Sequence, residues 1–143
     1  MARVRLELAR RDQVGLLRDI NQKLFPILSI SEMSDQFYKM FVEESQGFAF
    51  IAYYSNMLVM VWSLRLMIMC NRHVKAGVVC CELTENNGLY IRLLGTLSRH
   101  RRKGVGKAMM ARVMQEAEKR NIHNVYTFIR VDNKVIRWFL SQY

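Results

Sequence analysis

A chain of 143 residues is long enough for one domain with its own core and too short for two of ordinary size. Its 51% hydrophobic and 24% charged residues read as globular, and a single proline beside seven glycines excludes collagen-like or linker-rich architectures. A formal net charge of +10 favours anionic partners, whether nucleic acid, anionic lipid or a phosphate-bearing small molecule, without choosing among them.

The N-terminal stretch MARVRLELARRDQ is charged throughout and has no apolar h-region, so no signal peptide is expected. Within residues 2–9, Val4, Leu6 and Leu8 share one face, the pattern of a half-buried strand. Residues 12–24 place Val14, Leu17, Ile20 and Leu24 on one helical stripe, with Asp12 as the expected N-cap and Phe25-Pro26 as the stop. Residues 32–45 predict a second helix ended by Gly47, and Phe48 to Tyr54 a strand. The longest apolar stretch, Met57 to Cys70, contains Arg65 and falls short of the ~20 residues of a membrane span, so no membrane association is expected. Val74–Leu83 and Leu89–Leu97 are further strands, joined through Glu85-Asn86-Asn87-Gly88, a hairpin signal.

From Gly104 onward the pattern changes. Val105, Met109, Val113 and Ala117 recur every four residues, predicting a helix of about 16 residues that stops near Asn121. Val125 to Val131 is a nearly continuous apolar run, expected as a strand covered on both faces. Asp132 is the expected cap of a short last helix through Trp138-Phe139-Leu140. Strands, one long helix and a buried strand indicate an α/β or α+β fold, without internal repeat or linker. Cys70, Cys80 and Cys81 form neither a metal-ligand spacing nor a disulfide framework. A reducing compartment is expected, the cytoplasm and also the nucleus, with no metal cofactor.

The segment LLGTLSRHRRKGVGKA, Leu93 to Ala108, carries the chemistry. A strand ends near Leu97, a basic loop follows, and two glycines open the helix. Gly104 and Gly106 let a ligand approach the backbone without a Cβ in the way, and the free N–H groups of a first helical turn favour an anion. Arg101, Arg102, Lys103 and Lys107 add positive charge. The bland alternative is a glycine pair that starts a helix with a solvated basic face. The spacing matches neither the triphosphate P-loop nor the dinucleotide fingerprint.

Arg101-Arg102-Lys103-Gly104-Val105-Gly106 matches the R/Q-x-x-G-x-G/A signature of GNAT acetyltransferases. Leu6-Glu7-Leu8, Leu24-Phe25-Pro26, Phe37-Tyr38, Ala52-Tyr53-Tyr54, Gly77-Val78-Val79-Cys80-Cys81, Leu89-Tyr90-Ile91 and Asn124-Val125-Tyr126 follow in the order of one subfamily. Over roughly three quarters of its length the chain resembles the N-alpha-acetyltransferase 50 family, also called separation anxiety or NatE. The resemblance implies a GNAT acyl-CoA N-acyltransferase fold, a mixed splayed sheet with helices on both faces, in one domain over residues 1–143. It implies transfer of an acetyl group from acetyl-CoA to the α-amino group of protein N-termini, often Met-starting, by direct attack in a ternary complex.

Carried over position by position, Tyr90 matches the family's catalytic tyrosine; the alternative is a strand aromatic packed in the core. Leu94, Gly95, Thr96 and Leu97 match the strand end that holds the cofactor through its backbone. Arg101, Arg102, Lys103, Gly104, Val105, Gly106 and Lys107 match the diphosphate loop and helix start. Asn133 matches a cofactor-contacting asparagine, with a helix cap as the other reading. Phe25, Pro26, Ile27, Met33 and Arg92 fall on the peptide pocket. The implied partners are nascent peptide N-termini and the ribosome-associated NatA complex, and direct nucleic-acid binding is not expected, because the basic cluster has no interleaved aromatics.

The departures bear on proton handling and recognition. Phe128 stands where the family has a catalytic histidine, Met33 where it has a pocket tyrosine, Arg92 where it has a methionine, and Leu140 where it has a tyrosine near the CoA thiol. None of His73, His100 and His123 is an obvious replacement, and each is expected to be a solvated side chain. Residues 57–73 form an insert where the family has a short turn, and the chain stops at Tyr143, where the family continues into its last two strands. A GNAT-like module that binds acetyl-CoA or a NatA-type partner but turns over poorly is therefore the competing expectation.

Overall fold

Apolar side chains alternate along the strands and recur every three to four residues along the helices, and both periods are kept in the computed structural model. It describes residues 2–24, 35–56 and 73–143. In chain order these form β1 (Ala2–Leu8), a 3-10 turn (Arg11–Gln13), α1 (Val14–Leu24), α2 (Asp35–Glu44), β2 (Ala49–Asn56), β3 (His73–Leu83), β4 (Gly88–Thr96), a second 3-10 turn (Ser98–His100), α3 (Val105–Lys119), β5 (Asn124–Tyr126) and α4 (Lys134–Leu140). The insert expected at residues 57–73 lies outside the described residues except for His73, which opens β3.

The five strands form one sheet in the order β1-β2-β3-β4-β5. The first four run antiparallel to their neighbours, and β5 joins β4 parallel, so the sheet is mixed. Strand alternation divides the buried residues between two layers. Phe50, Ala52, Val79, Cys81, Leu89 and Ile91 face α3, whose Val105, Met109, Val113 and Ala117 fill that side, with Phe139 and Leu140 of α4 at its margin. Ala49, Ile51, Val78 and Cys80 face α1, which supplies Val14, Leu17 and Ile20, and α2, which supplies Tyr38. Asn21 Nδ2 donates to Tyr38 Oη at 2.7 Å in this second layer and joins the two helices by a buried polar bond.

Two glycines allow the layers to close. A Cβ on Gly77 of β3 would lie 2.6 Å from the carbonyl oxygen of Gly95, and one on Gly95 would lie 2.5 Å from Leu24 Cδ1. The end of α1 thus rests directly on the backbone of β4.

The strong periodic elements form as the sequence predicts, within a residue or two at each end, except that the expected start of the second helix at residues 32–34 lies outside the described residues. Three expectations are corrected. Asp12 does not cap α1: it sits inside the first 3-10 turn and pairs with Arg10, while Gln13 Oε1 accepts the Arg10 N–H. Asn133, not Asp132, caps α4, its Oδ1 accepting the Ile136 N–H at 3.3 Å. The apolar run 125–131 is not a strand covered on both faces. Only Asn124–Tyr126 pairs with β4, and Phe128 and Val131 are 80% and 81% exposed. The physical reason is that no described strand lies on the far side of β5 and no layer covers residues 127–131.

Candidate active site

The site is built around the way β4 leaves its neighbours. On the β3 side, Cys80 pairs with Leu93 and Cys81 with Ile91, so Arg92 is an extra residue in β4. Such a bulge bends the strand and sharpens its twist. On the other side β5 follows β4 only from Gly88 to Tyr90, opposite Asn124 to Tyr126. A last tie runs from Thr127 Oγ1 to the Ile91 carbonyl at 2.8 Å. Beyond it the two chains part. Among the described residues, one edge of β4 from Arg92 to Thr96 is thereby left without a strand partner, and its amides and carbonyls line a fork in the sheet. Leu94, Gly95 and Thr96, and Leu97 just beyond the strand, are all only partly buried and lie along this fork.

At the end of the fork the chain makes a tight basic turn. Leu97 accepts the His100 N–H at 2.8 Å and Ser98 the Arg101 N–H at 3.3 Å. Arg102 (φ 59°) and Gly104 (φ 79°) then take left-handed conformations that reverse the chain into α3. The first helical bond runs from Ala108 N–H to the Gly104 carbonyl, so the amides of Val105, Gly106 and Lys107 precede the helical ladder. Nothing lies within 4 Å of where a Gly104 Cβ would sit, so this corner is open to a ligand. Gly106 is more enclosed: a Cβ there would meet the Phe139 ring of α4 at 3.3 Å, with Thr96 Oγ1 at 3.9 Å.

Arg101, Arg102, Lys103 and Lys107 are all exposed around this turn. Arg101 Nε donates to the Thr96 carbonyl at 3.2 Å, and Lys103 Nζ lies 5.1 Å from the Tyr54 ring centre. Val105 is buried and can offer a ligand only its backbone.

Tyr90 occupies the fork's closed end, about 20 Å along β4 from Thr96. It pairs with Glu82 and Tyr126 in register, and its ring stacks on Tyr126 at 5.5 Å and meets Phe128 at 5.6 Å. Tyr90 shares its face with Glu82, whose carboxylate accepts from Arg92 Nη1 at 2.9 Å. Tyr90 therefore faces the α1–α2 layer, while the basic turn feeds α3 on the opposite layer.

Phe128 adds only an apolar edge to this cluster. Its ring carries no group that exchanges a proton, and it stands largely in solvent. Asn133 lies at the start of α4 with its side-chain oxygen engaged in the cap. Phe25, Pro26, Ile27 and Met33 lie outside the described residues. His123 is exposed as expected, but the expectation of a solvated His100 is overturned. Only 7% of this residue is exposed, its ring packs 5.4 Å from that of Tyr54, and burial together with Lys103 and Arg99 pushes its pKa below the ordinary histidine value. Its place in a run of cations hid this, because a charged neighbourhood in sequence reads as solvated. A shallow recess of about 550 Å³ lined by Thr84, Gly88, His123 and Tyr126 lies at the far end of β4 from the basic turn. No group of metal-ligating side chains occurs among the described residues.

A sheet forked behind its fourth strand, beside a glycine-opened cationic helix start, defines a class, and the chain belongs to it: the model of the acetyltransferase (GNAT) family matches residues 16–140. Within that family the chain is similar to the probable N-acetyltransferase san of Drosophila melanogaster, with 32% identity over 121 residues, 82% of this chain and 54% of the relative. It is also similar to N-alpha-acetyltransferase 50 of Danio rerio, with 29% identity over 122 residues, 82% of this chain and 60% of the relative. The chain thus spans little more than half the length of these curated relatives. The fold matches that of Arabidopsis thaliana Naa50, solved in complex with the bisubstrate analogue CoA-Ac-MVNAL. The TM-score is 0.69 at 21% identity, covering 97% of this chain and 80% of that one.

Proposed function

We propose that this chain transfers the acetyl group of acetyl-CoA to the α-amino group of protein N-termini, Met-starting ones among them. The observation that carries the proposal is the fork: an unpaired edge of β4 leads from an open, cationic, glycine-bearing turn on one layer to Tyr90 on the other. Arg101, Arg102, Lys103 and Lys107, with the amides that open α3, would neutralise the carrier's diphosphate. The backbone of Leu94 to Leu97 would hold its amide-bearing arm as a strand holds a neighbour. When bound, acetyl-CoA supplies an activated acyl group as a thioester.

An α-amino group has a pKa of about 8 and attacks only when neutral. The amine nitrogen attacks the thioester carbonyl, the C–S bond breaks, and the thiolate leaves with the pair. Tyr90 would relay the amine's proton through water to solvent, its hydroxyl accepting one proton as it gives up its own. Arg92, beside Tyr90 and paired with Glu82, lies on the acceptor side, where Phe25, Pro26, Ile27 and Met33 would complete the peptide pocket. The described relatives' peptide and CoA chemistry supports this acceptor class. NatA-type complexes in the cytoplasm, and also the nucleus, are the proposed setting. Two buried, unpaired cysteines, Cys80 and Cys81, accord with a reducing compartment.

Phe128 favours a second reading, a module that binds acetyl-CoA and turns it over slowly, because no histidine stands beside Tyr90. One experiment separates the two. Purified chain is mixed with acetyl-CoA and a Met-Leu-starting peptide, and CoA release is followed beside a Tyr90→Phe control. The acetyltransferase reading expects product in the wild type and a loss of about 10²-fold or more in the variant. Binding of acetyl-CoA with equal, near-zero turnover in both proteins selects the second reading, and failure to bind it removes both.

A further inference from the structure

His100 is a buried histidine, and neither Nδ1 nor Nε2 has a hydrogen-bond partner. Imidazole nitrogens are rarely left so, since a buried polar atom without a partner is costly. The cost is tolerable only for a neutral ring. A protonated ring would present two N–H donors with no acceptor in a site that already holds cations. The groups that face it make this plain. From β2 comes Tyr54, whose ring centre is 5.4 Å from that of His100 and 5.1 Å from Lys103 Nζ. From β3 the turn is met through the Ala76 carbonyl, which accepts the Leu97 N–H. From its own turn come Arg99 and Lys103, and no carboxylate acts on it among the described residues. A charged His100 would thus set a second cation against the Tyr54 ring that Lys103 already occupies.

The residue that carries this ring also closes the turn. The His100 backbone N–H bonds the Leu97 carbonyl in the 3-10 turn, and the next residues, Arg101 to Gly104, are the basic turn itself. We propose that neutral His100 is the positioning residue that holds residues 101–104 in the shape that receives a diphosphate, and that protonating its ring releases the turn. The diphosphate part of this rests on the acetyl-CoA reading, whereas the coupling of ring to turn does not. The held form binds fewer protons than the released form. The hold is therefore complete above the ordinary histidine value of about 6.5 and is lost as pH falls through and below it.

The test follows the ligand-free chain by NMR from about pH 8 to about pH 5. The His100 ring is expected to titrate below the ordinary histidine value of about 6.5, and the amides of Lys103 and Gly104 to move with it. A ring that titrates at the ordinary value while those amides stay fixed overturns the proposal. His100→Phe keeps a flat ring on Tyr54 without the proton, and its turn amides are expected to ignore pH. In CoA titrations from pH 7.5 to 5.5, wild type is expected to lose up to about tenfold more affinity than His100→Phe. The carrier's own phosphate titration is common to both proteins and cancels. Equal losses overturn the proposal, and the wild-type NMR titration decides it should the variant not fold. A chain that shows the coupled low titration but binds no CoA at neutral pH supports the ring-to-turn coupling and overturns the acetyl-CoA reading instead.

Discussion

Gly104 is glycine for two separable reasons. Its φ of 79° strains any side chain, and the space where a Cβ would point is the space a ligand would fill. Gly104→Glu adds bulk and a negative charge there, and is expected to abolish detectable acetyl-CoA binding in calorimetry while circular dichroism stays that of the wild type. Unchanged affinity would remove the turn as the diphosphate site. The buried thiols show the opposite case, residues whose chemistry the fold suppresses. Burial pushes Cys81 up to about 12 and Cys80 upward as well. Both are expected to resist alkylation at neutral pH by peptide mapping and to react only after unfolding.

Among the elements, α3 shows how a sequence can be explicit about both ends. Four apolar residues at a four-residue spacing set its buried stripe, and Asn121 sets its stop. Asn121 adopts φ 55°, its N–H bonds Glu118, and the Ile122 N–H closes back on the Ala117 carbonyl at 2.9 Å, a Schellman cap sealed by buried Ile122. Asn121→Ala forces a Cβ residue without a polar side chain into the left-handed region. It is expected to cost about 1 kcal/mol. In a thermal melt this reads as a fall of about 3–5 °C. The same legibility fails at residues 125–131. Their composition is that of a strand, but a strand exists only where another backbone accepts its hydrogen bonds, and the sequence of one segment does not reveal its neighbours. The cationic turn was legible from Arg101 to Lys107 because glycine spacing and charge are local. The sheet's fork is expected through the family resemblance alone and not from local pattern, because it arises from a bulge at Arg92 and from where β5 stops. His100 was misread for the same reason: burial is decided by Tyr54, a residue 46 positions away.

At the scale of the molecule, two surfaces contrast. One is cationic and centred on the turn before α3, the part of the +10 charge with a structural purpose in the proposed function. The other runs through residues 126–143, where Phe128, Val131, Val135 and Trp138 are each more than two-thirds exposed. Exposed apolar side chains gathered in one segment promote association. Val131→Ser combined with Val135→Ser is expected to shift stability by no more than about 0.5 kcal/mol each. The double variant should nonetheless sediment as a smaller species than wild type at high protein concentration. Equal sedimentation would show that this face is inert.

The unequal seams on the two sides of β4 have a mechanical consequence. Toward β3 the strand is joined along its full length, but toward β5 by three residues and one threonine hydroxyl. The weaker seam makes residues 124–140 a hinged flank able to open without unfolding the rest, so its amides should exchange with solvent long before those of β2 and β3. A carrier lodged in the gap would bond to both flanks and act as a clasp, and the slowing of exchange across 124–127 on its addition would measure how firmly it fastens them.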